Sequence, residues 1–365
     1  MTDTDDLCNC QLCIVNPDHP ARRFHNLFRR LRHLLTHEEL AACVVQYADL
    51  TQMGDGDEGI LCQMSKLSPA DLQAARAVVN ADREGLAADL ANAPTAIAAL
   101  AGDEFAKEWL TSVAVAVATQ PNDFVLREVE LSINLHGQAY TLCLPADWMA
   151  YSNLFEVLIR RNYEHQRVPV ERIYDFGAYI GLSSVYLHSY YPQAQVVAVE
   201  ASAANMRAMT RTLASNDGLI ASPEVVHTIV AGRSGTATLV SVEGASCSTN
   251  MLCSTVMDVE GAKRTTGEAT GLAELVQPDR PYGIKLDIEG GEFGLAESRD
   301  ALAGATWILG EFHYGLWSQK CDIWLRQLLE RRFTLNLQVP RLEMTGNGEY
   351  FCVGHDYTAL ARTED

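Results

Sequence analysis

The sequence has no run of roughly 20 uninterrupted apolar residues, the length a helix needs to cross a bilayer, so no membrane span is expected. Its first residues, Met1-Thr2-Asp3-Thr4-Asp5-Asp6, are acidic where a secretory signal would be basic, which points to a cytoplasmic chain. Positive charge is scarce. The 28 lysines and arginines stand against 47 aspartates and glutamates, a formal net charge of −19. Such a field repels nucleic-acid phosphates and anionic membrane surfaces, so neither is an expected partner, and a small-molecule or carrier-bound acceptor is favoured. The ten cysteines form no framework of paired Cys-x-x-Cys motifs and read as free thiols in a reducing compartment. Cys8, Cys10 and Cys13 lie close together and read as incidental thiols. A zinc or iron–sulfur clamp completed by His19 or His25 is the alternative.

What is present is a globular composition, 48% hydrophobic and 21% charged, over 365 residues, long enough for two units. Phe24, Leu27, Phe28, Leu31, Leu34 and Leu35 recur at helical spacing with five arginines between them, an amphipathic helix with a basic face. Thr36-His37-Glu38-Glu39 and Ser68-Pro69-Ala70-Asp71 read as helix starts, and an alanine-rich run continues to about Trp109. Residues 1–118 therefore form a helical N-terminal region that names no chemistry, and 119–365 the second unit. That unit opens with a hairpin, Val125 to Ile133 and Tyr140 to Leu144, around a turn at Leu135-His136-Gly137-Gln138.

From residue 171 short β-branched runs alternate with helical segments: Arg172–Asp175, Gln195–Glu200, Val225–Val230, Ile284–Ile288 and Trp307–Phe312. The alternation predicts an α/β fold with a mostly parallel, Rossmann-like sheet, whose ligands sit at the carboxyl ends of its strands. Nothing in the sequence fixes the oligomeric state.

The first of these strands runs into Asp175-Phe176-Gly177-Ala178-Tyr179-Ile180-Gly181, where two glycines permit a tight turn close to a ligand. The second ends in Glu200, 19 residues after Gly181, where a carboxylate can accept hydrogen bonds from both hydroxyls of a ribose. That spacing suits a nicotinamide dinucleotide or S-adenosylmethionine. The loop separates them: it lacks the G-x-G-x-x-G that seats a pyrophosphate, and Asp175 suits a cofactor carrying an amino group and a sulfonium.

These segments resemble the FkbM-type branch of the class I S-adenosylmethionine-dependent methyltransferases over about residues 140 to 355. Asp175-Phe176-Gly177-Ala178-Tyr179-Ile180-Gly181 is similar to the family's D-x-G-A-N-x-G loop. Glu200, followed by Asn205 and Asn216, is similar to its E-P-x-x-x-N stretch with a later Asn. Lys285-Leu286-Asp287-Ile288-Glu289-Gly290-Gly291-Glu292 is similar to its K-x-D-x-E-G-x-E signature, and Glu311-Phe312-His313 to its closing acidic strand. Tyr179 and Ala201 depart from the usual Asn and Pro. The resemblance implies a seven-stranded Rossmann-like sheet and methylation of a hydroxyl on a secondary metabolite, sugar or related small molecule. It implies S-adenosylmethionine as cofactor, with Asp175, Gly177, Ala178, Tyr179, Gly181, Glu200 and Ser202 around it.

A central parallel strand is normally apolar, so Lys285, Asp287 and Glu289 alternating along one need compensation, and the two acids are expected to open into the cleft. Glu311 and His313 share a face of the next strand and are expected to reach the same cleft. A hydroxyl nucleophile must lose its proton, which makes His313, tuned by Glu311 or Glu289, the first candidate base and Asp287 the second. Magnesium on Asp287, Glu289 and Glu292 could acidify the hydroxyl instead. The Gly290-Gly291 break argues against it, and no metal is expected. The competing readings are a catalytically silent S-adenosylmethionine-binding or scaffold protein and an NAD-dependent oxidoreductase.

Overall fold

The computed structural model describes residues 35–50, 67–119, 128–146, 148–220, 223–242, 251–252, 262–313, 324–344 and 351–362. The basic amphipathic helix over residues 22–34 and the Cys8, Cys10 and Cys13 cluster lie outside them. Three helices come first: α1 (His37–Leu50), α2 (Pro69–Ala101) and α3 (Asp103–Thr119). Both expected starts are capping boxes. Thr36 and Glu39 exchange side-chain and backbone bonds at 2.7 and 3.3 Å, and Ser68 and Asp71 do the same at 3.1 Å, which satisfies N–H groups that the first turn leaves unpaired.

The remaining elements follow in chain order: β1 (Glu128–Leu135), β2 (Gln138–Pro145), α4 (Trp148–Leu154), a π-helical turn (Phe155–Ile159), β3 (Arg172–Phe176), α5 (Leu182–Tyr190), β4 (Gln195–Glu200), α6 (Ala203–Ala214), β5 (Glu224–His227), β6 (Ile229–Ala231), β7 (Gly235–Val242), β8 (Met251–Leu252), β9 (Ala262–Gly271), α7 (Leu272–Leu275), β10 (Tyr282–Leu286), α8 (Arg299–Ala303), β11 (Trp307–His313), α9 (Trp324–Arg332), β12 (Phe333–Leu337), β13 (Arg341–Met344) and β14 (Phe351–Ala361). Two compact units emerge. One comprises Met1–Gly85, His313–Ile323 and Gln338–His355, the other Leu86–Phe312, Trp324–Leu337 and Asp356–Asp365. In the first, Ala41, Ala42 and Val45 of α1 pack with Ala75 and Val79 of α2.

The second unit holds the Rossmann-like sheet. Seven strands follow one path, β12-β14-β11-β10-β3-β4-β5, with β13 paired to β14 beside it. β11, β10, β3, β4 and β5 run parallel to one another, and β12 is antiparallel to β14. Every residue of β3 and β10 is buried, as expected of strands covered on both faces. The chain runs outward from β3 through β4 to β5, then restarts at β10 on the other side of β3. The β3/β10 junction is therefore the topological switch point, the place where open α/β sheets bind their ligands.

Two expected strands are corrected. The segment Val225–Val230 is split: β5 ends the main sheet at the Glu200 to His227 pair, and β6 joins a second, four-stranded sheet, β6-β9-β7-β8. Thr228 makes the break, its hydroxyl bonded to the Glu268 carbonyl at 3.2 Å and to Thr270 at 2.8 Å in that second sheet. β10 stops at Leu286 rather than Ile288, because Glu289 and Gly290 take φ of 52° and 90°, values no strand accommodates.

The hairpin β1/β2 closes through His136 and Gly137, at φ of 51° and 83°, the left-handed pair of a type I′ turn. Its outer edge docks on α6 through side chains. The Asn216 amide accepts the Thr141 N–H at 2.8 Å and donates to the Thr141 carbonyl at 2.7 Å, and the Thr212 hydroxyl accepts from Cys143 N–H at 3.0 Å. Asn216, singled out by the family pattern, is thus a structural residue here.

Candidate functional site

Because β3, β4, β10 and β11 run parallel, their carboxyl ends bring four chain segments to one edge: the Gly177–Gly181 turn, Glu200, Asp287 and Glu311 with His313. The turn is built by glycine. Gly177 has φ of 76°, and its N–H and that of Ala178 both donate to the Val199 carbonyl at 3.0 Å. A Cβ on Gly177 would fall 1.8 Å from the Asp287 carbonyl oxygen, so only glycine lets the turn lie against the end of β10. Gly181, at φ 84°, is the N-cap of α5 and supplies no side-chain cap.

Glu200 closes this turn from the β4 side. Its Oε2 accepts the Tyr179 N–H at 2.9 Å; its Oε1 accepts the Ser202 N–H at 2.7 Å and the Asn205 amide at 3.4 Å. Burial pushes its carboxyl above the usual range, against the opposing pull of those three donors and of Lys285. A carboxylate has about four lone-pair positions, and three protein donors leave room for a further hydroxyl. Tyr179 holds the left-handed φ of 52° that Asn adopts more readily. Ser202 is the N-cap of α6, its hydroxyl accepting from the Asn205 N–H at 3.5 Å. Ala178 is buried.

Asp175 differs from expectation. It is fully buried, its Oδ2 accepts the hydroxyls of Ser183 and Ser184 at 2.6 Å each, and its Oδ1 faces the Lys285 ammonium at 3.5 Å. In this structure it presents no surface to a cofactor's amino group, and it ties the start of α5 to β3 instead. Its charge is met from the neighbouring strand, where Lys285 pairs with it in register.

Past Leu286 the acids separate. Asp287 is about one quarter exposed, while Glu289 occupies a left-handed position in the turn that follows. Glu292 is fully buried, its carboxylate accepting the Ile288 N–H at 2.8 Å and the Gly290 N–H at 3.0 Å. The trio Asp287, Glu289 and Glu292 is therefore not assembled as a metal site. What comes together, among the described residues, is Asp287, Glu311 and His313, each offering an atom within 4.8 Å of the others and each partly exposed.

No protein-family model matches the chain, and no curated protein matches its sequence. Among solved structures, it is similar to the methyltransferase FkbM from Methylobacillus flagellatus KT, at 13% identity and a TM-score of 0.32 over 57% of this chain and 53% of that one. The match thus spans about half the length of that protein. It is also similar to precorrin-6y C5,15-methyltransferase from Geobacter metallireducens GS-15, at 13% identity and a TM-score of 0.31 over 57% and 88% of the two chains. A third is M. jannaschii TYW2 in complex with AdoMet, at 14% identity and a TM-score of 0.34 over 66% and 90%.

One residue of the site carries no sequence signal. Tyr163 lies in an irregular stretch before β3, yet its hydroxyl donates to Asp287 Oδ2 at 3.3 Å and its ring lies 5.7 Å from the Lys285 ammonium. An isolated tyrosine outside any periodic segment gives nothing to read.

Proposed function

We propose that the chain is an S-adenosylmethionine-dependent methyltransferase acting on a hydroxyl of a small-molecule or carrier-bound acceptor. The observation that carries this reading is Glu200: a buried carboxylate at the end of β4, held against the glycine turn by the Tyr179 N–H, at the edge where a ribose diol would meet it. The N-terminus of α5, uncapped by any side chain, suits the cofactor's carboxylate. When bound, the cofactor supplies an electrophilic methyl on a sulfonium. The chain's part is to align the acceptor oxygen with that methyl, exclude water and take the hydroxyl proton.

His313 is the proposed base, with Glu311 on the same face of β11 and Asp287 close by. Asp287 is the proposed positioning carboxylate on the acceptor side, and Glu289 borders the same strand end. The acidic character of the whole chain supports an acceptor that is not a nucleic acid. Among the described residues no helix is long and apolar enough to cross a membrane.

The test has two stages. Calorimetry with S-adenosylmethionine and with NAD separates the methyltransferase from an oxidoreductase: binding of NAD alone would overturn the reading. Labelled-methyl transfer to a panel of hydroxylated acceptors then separates an enzyme from a silent binding protein, which would bind the cofactor and transfer to nothing.

A further inference from the structure

The chain between α4 and β3 leaves regular geometry twice on its way to the site. Phe155–Ile159 widens into a π-helix, and Arg161 takes a left-handed φ of 57°. Both features cost energy and persist where surrounding contacts hold them, often at functional sites. What they deliver is Tyr163, beside Asn162, whose amide donates to Asp356 Oδ2 at 3.3 Å. The Tyr163 hydroxyl and the Lys285 ammonium converge on the same oxygen, Asp287 Oδ2, at 3.3 and 3.5 Å.

Lys285 is 2% exposed and spans the switch point. Its ammonium donates to the Gly177 carbonyl at 2.6 Å and lies 3.5 Å from both Asp175 Oδ1 and Asp287 Oδ2. One buried cation thus touches the turn that would receive the cofactor and the carboxylate that would face the acceptor.

We propose that Lys285 is a positioning residue that locks the Gly177 turn to Asp287, with Tyr163 holding the same carboxylate oxygen. The proposal deepens the methyltransferase reading and rests on it for its functional sense. Burial pulls the Lys285 pKa down, but Asp287, Asp175 and Glu200 outweigh it and raise it, so the ammonium persists. Tyr163 is pushed well above the ordinary phenol range, first by burial and then by Asp287 and Asp175, so it stays a donor.

Removing the cation leaves the buried Asp175 and the partly exposed Asp287 without the charge between them, which favours uptake of a proton by one of the two. That gives Lys285 a signature that a merely space-filling side chain lacks. In Lys285→Met, the defect should grow as pH rises, because at lower pH a carboxyl proton replaces the missing charge. Adding Asp287→Asn removes one of the two carboxylates and should reduce that pH dependence.

The experiment titrates S-adenosylhomocysteine by calorimetry into the full chain, Lys285→Met, Lys285→Met/Asp287→Asn and Tyr163→Phe at about pH 6 and about pH 9. Melting curves accompany each. Lys285→Met should lose about tenfold or more at the higher pH and clearly less at the lower. Measured against wild type at the same pH, the loss in the double variant should differ less between the two values than that in Lys285→Met, and Tyr163→Phe should stay within about threefold of wild type. Wild-type affinity in Lys285→Met, or an equal loss at both pH values that Asp287→Asn leaves unchanged, overturns the proposal. A tenfold loss in Tyr163→Phe would place that phenol on the cofactor and overturn its assignment to Asp287. A wild-type chain that binds no S-adenosylhomocysteine defeats the methyltransferase reading instead. The melting temperatures then carry the test, with the same pH dependence expected and the same rescue. If Lys285→Met does not fold but the double variant does, the compensation is shown directly; failure of both to fold overturns the pairing with Asp287.

Discussion

Gly177 and Asp287 touch through their backbones: a single methyl on Gly177 would lie 1.8 Å from the Asp287 carbonyl oxygen. The sequence motif places glycine here for the approach of a ligand, whereas the structure shows it serving the approach of β10. Gly177→Ala should therefore damage folding as well as binding. A left-handed alanine costs about 1 to 2 kcal/mol before any clash, so the melting temperature should fall by several degrees. A variant that melts like wild type but binds no cofactor would return Gly177 to the ligand.

Glu200→Ala removes the proposed acceptor for a ribose and leaves the Tyr179 and Ser202 N–H groups without their partner. S-adenosylmethionine affinity should drop by about 1 to 3 kcal/mol by calorimetry. The carboxyl also carries a pH signature. Ribose binding requires the charged form, and burial raises the pKa, so protonation sets in at a higher pH than for an ordinary glutamate. Wild-type affinity should therefore weaken on acidification while the chain is still folded. The loss should be absent in Glu200→Ala; a parallel pH profile in that variant would show the titrating group to be another.

Asn216→Ala removes two bonds to the Thr141 backbone and a third, at 2.6 Å, to the Thr212 carbonyl. Leaving such buried groups unpaired should destabilise the chain by about 1 to 3 kcal/mol in a denaturant titration. An unchanged midpoint would mean that water takes over these bonds.

His313→Ala should lower turnover by about 10² to 10⁴ with cofactor affinity nearly intact, the loss expected of a positioned base. Chelator should not change the wild-type rate. A rate abolished by chelator and restored by magnesium, with Asp287→Asn worse than His313→Ala, would instead assign Asp287, Glu311 and His313 to a metal.

Much of the frame was legible because its signals are local. The capping pairs at Thr36 and Ser68, the His136-Gly137 turn and β4 at Gln195–Glu200 each depend on neighbours a few residues away. The site was less legible because its contacts are long-range. Asp175 reads as a ligand group until Ser183, Ser184 and Lys285 are seen to surround it. The register of β10 against β3 that pairs Lys285 with Asp175 has no trace in either strand alone. Tyr163 depends on a π-helical turn and a left-handed Arg161, which no periodicity announces. Glu292 follows Asp287 and Glu289 in sequence, but the Glu289-Gly290 turn brings it back to cap the backbone.

The docking of β2 on α6 has one more consequence. A two-stranded ribbon ordinarily offers its outer backbone as a template on which a second molecule can add a strand and begin a fibril. Here the amide of Asn216 and the hydroxyl of Thr212 occupy that template at Thr141 and Cys143, so intermolecular strand addition along this edge is blocked by two side chains of the same molecule.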